Sequence, residues 1–281
     1  YNYSGDNMEI LKAIFFGIVE GITEWLPVSS TGHMILLDEF IHLEVSSEFY
    51  KLFEVVIQLG AILAVVLMYF KTIFPFGFGK TKDDTKKTFS LWAKIIVACL
   101  PAAVIGILFD DWLDAHLYIP MVVALMLILY GIIFIVIESK GLGKIATDDI
   151  NKITYKQAAG IGCFQLLSLI PGTSRSGATI IGGLILGLKR SVAAEFTFFL
   201  AIPVMAGASF LKLLKYVMDV GFVFKSSELI VLGVGSLVAF LVSVLVIKFL
   251  LSYIRKHDFK VFGYYRIVLG LLVILYFMFL K

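Results

Sequence analysis

The sequence predicts an all-α integral membrane protein with six transmembrane helices and two re-entrant helix–loop–helix hairpins. Hydrophobic residues make up 60% of the 281-residue chain and charged residues only 16%, whereas soluble domains average about 25% charged residues. The apolar residues form blocks long enough to cross a bilayer core of roughly 30 Å. Two further blocks are interrupted by polar turns rich in proline, glycine and hydroxyl side chains.

Six uninterrupted apolar segments have the length of a spanning helix. Each holds 17 to 22 residues, and a transmembrane helix needs about 20. We predict spans at 53–70, 92–109, 120–137, 193–214, 229–250 and 264–280.

The two broken regions are interpreted as re-entrant hairpins. Their arms and turns are 10–26, 27–33 and 34–43 in the first, and 158–170, 171–175 and 176–188 in the second. An arm of 13 residues reaches only about 20 Å as a helix. Irregular backbone at membrane depth survives only inside protein or beside a wet cavity. The alternative is one kinked spanning helix in each region.

Basic residues support this count of crossings. The loops at 71–91, 138–157, 188–192 and 252–263 would share one side and carry 14 Lys and Arg, against 4 on the other side. Because cytoplasmic loops are enriched in Lys and Arg, we expect these four loops in the cytoplasm and both termini outside.

The order hairpin, span, span, span occurs twice, which predicts one membrane domain over 1–281 with repeats at 10–137 and 158–280. Both turns read Pro-x-[Ser/Thr]-Ser, 144 positions apart, and Glu54 and Glu195 each open the following span. Three spans per repeat invert the second copy, and such inverted repeats bring broken helices together at a midplane site.

The first hairpin carries carboxylates and hydroxyls. Glu20 and Glu24 share one helix face and suggest a divalent cation such as Mg²⁺ or Ca²⁺, or a shared proton. The alternative is a hydrated helix end. The hydroxyls and the helix start after them form an anion site, and the histidine can act as acid, base or nucleophile, although a helix cap explains this turn equally well. These turn residues are Ser29, Ser30, Thr31, Gly32 and His33.

The second turn contains an arginine at membrane depth. Arg175 requires an anionic partner, and its planar fork suits bidentate binding of phosphate. A buried ion pair with Glu20 or Glu24 is the alternative. Together, the two turns supply the groups that phosphoryl transfer or hydrolysis requires, and a site within reach of lipid indicates a substrate with an apolar tail.

Two long motifs resemble a known family. Residues 20–33, Glu-Gly-Ile-Thr-Glu-Trp-Leu-Pro-Val-Ser-Ser-Thr-Gly-His, are similar to the N-terminal motif of the bacterial undecaprenyl-pyrophosphate phosphatases (BacA/UppP, linked to bacitracin resistance). Residues 171–179, Pro-Gly-Thr-Ser-Arg-Ser-Gly-Ala-Thr, resemble that family's second motif. Segments 53–60 and 162–165 also look familial, so the likeness covers nearly the whole chain.

The resemblance implies removal of one phosphate from undecaprenyl pyrophosphate. This reaction recycles the lipid carrier of cell-wall synthesis in the bacterial cell membrane. The resemblance also implies a requirement for a divalent cation, Mg²⁺ or Ca²⁺. Ser30 assisted by His33 is our first choice of nucleophile, with direct attack by His33 or an activated water as alternatives. We predict catalytic residues Ser30, His33, Glu24 and Arg175, substrate-binding residues Ser29, Thr31, Ser174, Arg175, Ser176, Thr179 and Arg266, and metal ligands Glu20 and Glu24. Of these, Arg266 lies toward the cytoplasmic end of the last span in our topology.

A competing hypothesis is a lipid-carrier transporter or flippase, since inverted repeats and opposed hairpins are transporter features. Phosphate release from purified protein separates the two. The net charge of +3 does not indicate a nucleic-acid partner. The small-residue spacing Gly183…Gly187 could support a homodimer, although packing within one chain is the favoured interpretation.

Overall fold

A computed structural model describes residues 3–77, 79–141 and 147–279. Helix accounts for 82% of the structure, and no β-strand forms within the described ranges. The all-α prediction is therefore confirmed. In chain order the helices are α1 (Tyr3–Thr23), α2 (Ser30–Phe40), α3 (Ser47–Met68), α4 (Phe70–Ile73), α5 (Lys82–Leu117), α6 (Pro120–Ser139), α7 (Tyr155–Leu166), α8 (Arg175–Ile185), α9 (Arg190–Val220), α10 (Ser226–Ile254) and α11 (Lys260–Phe279).

Six of these helices are long and apolar enough to cross a membrane, namely α3, α5, α6, α9, α10 and α11. Each matches one of the six predicted spans, although α3 ends at Met68, before the predicted end at 70. The prediction of a multi-pass membrane protein is confirmed. The last predicted span ends at residue 280, one position outside the described residues. The membrane insertion of the two hairpins, and the side on which each loop lies, stay predictions.

The spanning helices extend beyond the predicted spans. Helix α5 begins at Lys82, inside the predicted loop 71–91, because Thr81 and Asp84 form a reciprocal capping box at its start. It continues to Leu117, well past the predicted end at 109. Residue 78 of the first predicted loop and residues 142–146 of the second lie outside the described residues.

Both predicted helix breaks are present, and each ends in a serine that caps the next helix. Ser29 has φ 74° and accepts a hydrogen bond from the Gly32 N–H, while Ser174 has φ 73° and accepts one from Gly177. Positive φ is uncommon for residues other than glycine and often marks a functional turn. The two caps are 145 positions apart, one more than predicted, because the second turn has an extra residue between its proline and its cap.

Helices of the two predicted repeats pack against each other in a reciprocal way. Helix α1 packs on α10 while α7 packs on α5, and α3 pairs with α9 as α6 pairs with α11. At the α6–α11 crossing, a Cβ added at Gly131 would lie 2.7 Å from the Gly263 carbonyl oxygen, and the reverse is also true. These pairings are those that an internal two-fold axis requires. The division into two repeats stays a prediction.

Two further contacts tie the chain together. The buried carboxylate of Glu138, at the end of α6, accepts hydrogen bonds from the Arg190 guanidinium and, at 3.0 Å, from the Phe259 N–H. It thereby joins three segments that are distant in sequence. In α8, a Cβ at Gly183 would lie 2.8 Å from the Ala193 Cβ, so this glycine serves packing within the chain. A homodimer stays a prediction.

Candidate active site

The two turns meet at the carboxylate of Glu24. Its Oε2 accepts a hydrogen bond of 2.7 Å from the Ser30 hydroxyl, and its Oε1 accepts one of 2.8 Å from Nη2 of Arg175. Ser30 and Arg175 are the first residues of α2 and α8, directly after the two capping serines. The predicted approach of the two turns is therefore confirmed, and the ion-pair alternative for Arg175 is present with Glu24 as the partner.

The second carboxylate, Glu20, is fully buried one turn before Glu24. Neither of its oxygens receives a hydrogen bond. A buried carboxylate without a donor is unfavourable, so this side chain is suited to a proton shared with Glu24 or to a cation. Two carboxylates fit Mg²⁺ or Ca²⁺ when substrate phosphates and water complete the coordination. The described residues contain no group of three His, Cys, Asp or Glu arranged for a metal ion.

Arg175 makes three contacts within the protein, and one of its hydrogen-bond donors has no partner. Its Nη1 donates to the Thr197 carbonyl at 2.8 Å, its Nη2 donates to Glu24, and its guanidinium lies 6.0 Å from the centre of the Trp25 ring. The buried Nε has no hydrogen-bond partner. This N–H is a donor that the protein itself does not satisfy, and the contact with α9 is made by Nη1 instead.

His33 is turned away from Ser30. Its Nδ1 lies 2.7 Å from the Ser29 carbonyl oxygen, and its Nε2 lies 2.6 Å from the hydroxyl of Tyr265 in α11. The predicted assistance of Ser30 by His33 does not appear in this geometry, because the Ser30 hydroxyl donates to Glu24 instead.

The remaining hydroxyls of the two turns mostly support the backbone. The Ser176 hydroxyl donates to the Leu26 carbonyl at 3.2 Å and thereby bridges the two hairpins, and it lies 3.1 Å from the Ser174 hydroxyl. Thr179 is fully buried, donates to the Arg175 carbonyl and accepts from Thr197 at 2.8 Å. Thr179 thus positions the start of α8. Thr31 is half-buried in the first turn of α2.

Arg266 lies near the start of the last span, as predicted, and also lies against both turns. It is fully buried. Its guanidinium donates to the carbonyl oxygens of Pro27 at 3.0 Å, Gly172 at 2.7 Å and Thr173 at 2.9 Å. Two longer contacts of 3.4 Å reach α6 carbonyls. These donors are engaged with backbone, so Arg266 is suited to holding the turns, and a phosphate contact from it stays a prediction.

The sequence of the chain matches the family model described as bacitracin resistance protein BacA over residues 13–272. The chain belongs to the BacA family. Curated relatives named undecaprenyl-diphosphatase occur in Enterococcus faecalis, with 64% identity over 96% of this chain and 98% of the relative, and in Desulfitobacterium hafniense, with 60% identity over 96% of both. A relative of the same name in Acetivibrio thermocellus is 56% identical over 96% of this chain and 98% of its own.

Membership of the BacA family supports the predicted resemblance and gives no support to the transporter hypothesis, since these relatives are named as diphosphatases. The two predicted motifs lie at the meeting point of the turns. Sequence reasoning missed Thr197 and Tyr265, which hold Arg175 and His33. It gave no role to Gln165 of the familial segment 162–165, which is a buried amide in α7 without a hydrogen-bond partner. All three are polar side chains inside apolar helices, and that signal could have marked them.

Proposed function

We propose that this chain is an undecaprenyl-diphosphatase of the bacterial cell membrane, which hydrolyses undecaprenyl pyrophosphate to undecaprenyl phosphate and inorganic phosphate. The observation that carries the proposal is the joint contact of Glu24 with the Ser30 hydroxyl and the Arg175 guanidinium. This contact brings a hydroxyl, a carboxylate and a guanidinium together next to the first residues of α2 and α8, and these groups could serve as nucleophile, base and cationic phosphate ligand.

The terminal phosphate is expected to bind where Arg175 now contacts Glu24. Arg175 can offer its unpartnered Nε together with Nη2, which is the bidentate geometry that phosphate favours. The first N–H groups of α2 and α8 have no partner inside their own helices and add further donors. Once phosphate has taken over Arg175, Oε1 of Glu24 is released, while Oε2 keeps the hydrogen bond from the Ser30 hydroxyl.

In the first step, the Ser30 oxygen attacks the terminal phosphorus and its proton passes to Glu24. The phosphoanhydride bond breaks, and undecaprenyl phosphate leaves with the bridging oxygen. In the second step, water attacks the phosphoserine, the Ser30 oxygen is released and recovers a proton, and inorganic phosphate forms. Arg175 stabilises the charge on the transferred phosphoryl oxygens in both steps.

Glu20 and Glu24 are the residues that would hold a divalent cation. A bound Mg²⁺ or Ca²⁺ supplies charge neutralisation on the phosphate oxygens. In its absence Glu20 can share a proton with Glu24, because both carboxylates lie on the same face of one helix turn.

Phosphate release from undecaprenyl pyrophosphate by the purified chain in detergent tests the function. A transporter would release none. Ser30→Ala is expected to abolish turnover while lipid binding survives, and Ser252→Ala, at an exposed position of α10, is the matched control. Near-normal turnover in Ser30→Ala would reject the nucleophile, and turnover lost only in His33→Gln would favour direct attack by His33. Mass spectrometry of acid-quenched enzyme should detect phosphate on Ser30.

A further inference from the structure

His33 has both ring nitrogens engaged, and the partners identify their roles. The Ser29 carbonyl, 2.7 Å from Nδ1, can only accept a hydrogen bond. Nδ1 therefore carries a proton, and in the neutral ring Nε2 holds the lone pair. The Tyr265 hydroxyl, 2.6 Å away, then donates to Nε2. The basic nitrogen of His33 is thus directed at a tyrosine that neither turn motif contains.

The two rings are also nearly parallel and lie side by side. Their centres lie 5.6 Å apart and their planes differ by 2°, although the residues are 232 positions apart in the chain. Tyr265 directly precedes Arg266, the charged group next to this pair, whose guanidinium bonds to the carbonyls of both turns. The position of Tyr265 relative to His33 is therefore set by the same buried anchor that holds the site.

We propose that Tyr265 is a positioning residue for His33. Its hydroxyl holds the imidazole with Nε2 as the single basic nitrogen and limits rotation of the ring about its Cβ–Cγ bond. A phenol hydroxyl can donate to neutral Nε2 and accept from protonated Nε2–H. Tyr265 can therefore keep its contact when His33 gains or loses a proton, without movement of either ring.

This inference rests on the proposed function together with the sequence prediction that His33 acts in it as acid, base or nucleophile. Without this hydrogen bond the ring would spend much of its time in unproductive orientations. In metal sites, loss of the group that orients a histidine ligand reduces activity about 10- to 100-fold. Tyr265 hydrogen-bonds to His33 and not to Arg175 or Glu24. Loss of its hydroxyl should therefore lower kcat more than it raises KM.

The test compares Tyr265→Phe, which removes the hydroxyl and keeps the aromatic ring, with Tyr264→Phe at the exposed neighbouring position. In Tyr265→Phe we expect kcat for phosphate release to fall roughly tenfold and KM to stay within about twofold. Tyr264→Phe should match the unaltered chain. Equal unfolding temperatures in the three proteins show that folding is not the cause.

Nitrogen-15 NMR of histidine-labelled protein reads the contact itself, with His33→Gln used to assign the signal. Loss of the donated hydrogen bond should move the Nε2 resonance in Tyr265→Phe and leave it in place in Tyr264→Phe. An unmoved resonance, an unchanged kcat, or the same kcat loss in both variants would overturn the proposal. If the unaltered chain releases no phosphate, the proposed function fails, and the resonance still reports whether Tyr265 holds His33.

Discussion

Replacement of Arg266 by methionine should damage both the stability and the activity of the protein. Arg266 is fully buried, and its guanidinium is the hydrogen-bond donor for carbonyls of both turns. Methionine fills a similar length of apolar space and provides no donor. The variant therefore removes the link between the turns and keeps most of the packing.

The magnitude follows from the carbonyls that lose their donor. The Pro27, Gly172 and Thr173 oxygens accept at 3.0, 2.7 and 2.9 Å, and a buried group left without its partner costs about 1–3 kcal/mol. The buried charge of Arg266 has its own desolvation cost of several kcal/mol, which the substitution relieves. We expect a net loss of about 3 kcal/mol in the free energy of unfolding, and a fall in Tm of roughly 5–10 °C.

Activity should fall further than stability alone explains. A misplacement of reacting groups by about 1 Å can reduce the rate about 100-fold, and both Ser30 and Arg175 start helices whose turns Arg266 holds. Phosphate release should be measured below the unfolding temperature, with Arg255→Met, at an exposed position of the α10–α11 connection, as the control. Arg266→Lys should restore part of the stability. Unchanged Tm and activity within about threefold in Arg266→Met would refute the anchoring role.

Three further outcomes are expected. Chelation of divalent cations should lower phosphate release, and added Mg²⁺ or Ca²⁺ should restore it; turnover that survives exhaustive chelation would contradict the carboxylate site. Glu138→Gln should lower the free energy of unfolding by about 3 kcal/mol because it breaks a buried pair with Arg190, which denaturant titration measures. Gly131→Ala should destabilise the protein by about 2 kcal/mol because its Cβ would meet the Gly263 carbonyl. Gly233→Ala, with open space around it, should be neutral or stabilising by about 1 kcal/mol. Equal Tm values for these two variants would contradict the close crossing of α6 and α11.

The carboxylates and the arginine of the site could be found from sequence because charge is costly at membrane depth. Glu20, Glu24 and Arg175 stand out in apolar segments, and opposite charges there must find each other. That reasoning predicted the approach of Arg175 to the acidic pair. It could not choose between the two carboxylates, because the choice depends on the rotation of α1 about its axis and on the rotamer of each side chain.

The partners of Ser30 and His33 were beyond sequence reasoning. Their direction depends on Ser29, whose positive φ starts α2 in a particular orientation. This orientation sends the Ser30 hydroxyl to Glu24 and the His33 ring to Tyr265. The distant partner, Tyr265, lies on a helix whose apolar pattern says only that it spans the membrane.

By itself, the sequence determined which segments are apolar enough to span the membrane, where two of them break, and which residue types stand at the breaks. These properties are local, since they follow from transfer free energies and turn chemistry over a few residues. Only the tertiary structure decided that Arg266 reaches both turns. Its position along α11 suggested one end of a span, but close helix crossings at Gly131 and Gly263 and the inward reach of the two turns brought the backbone carbonyls to its guanidinium. Contacts of this kind depend on the packing of helices that are distant in the chain, and no local pattern records them.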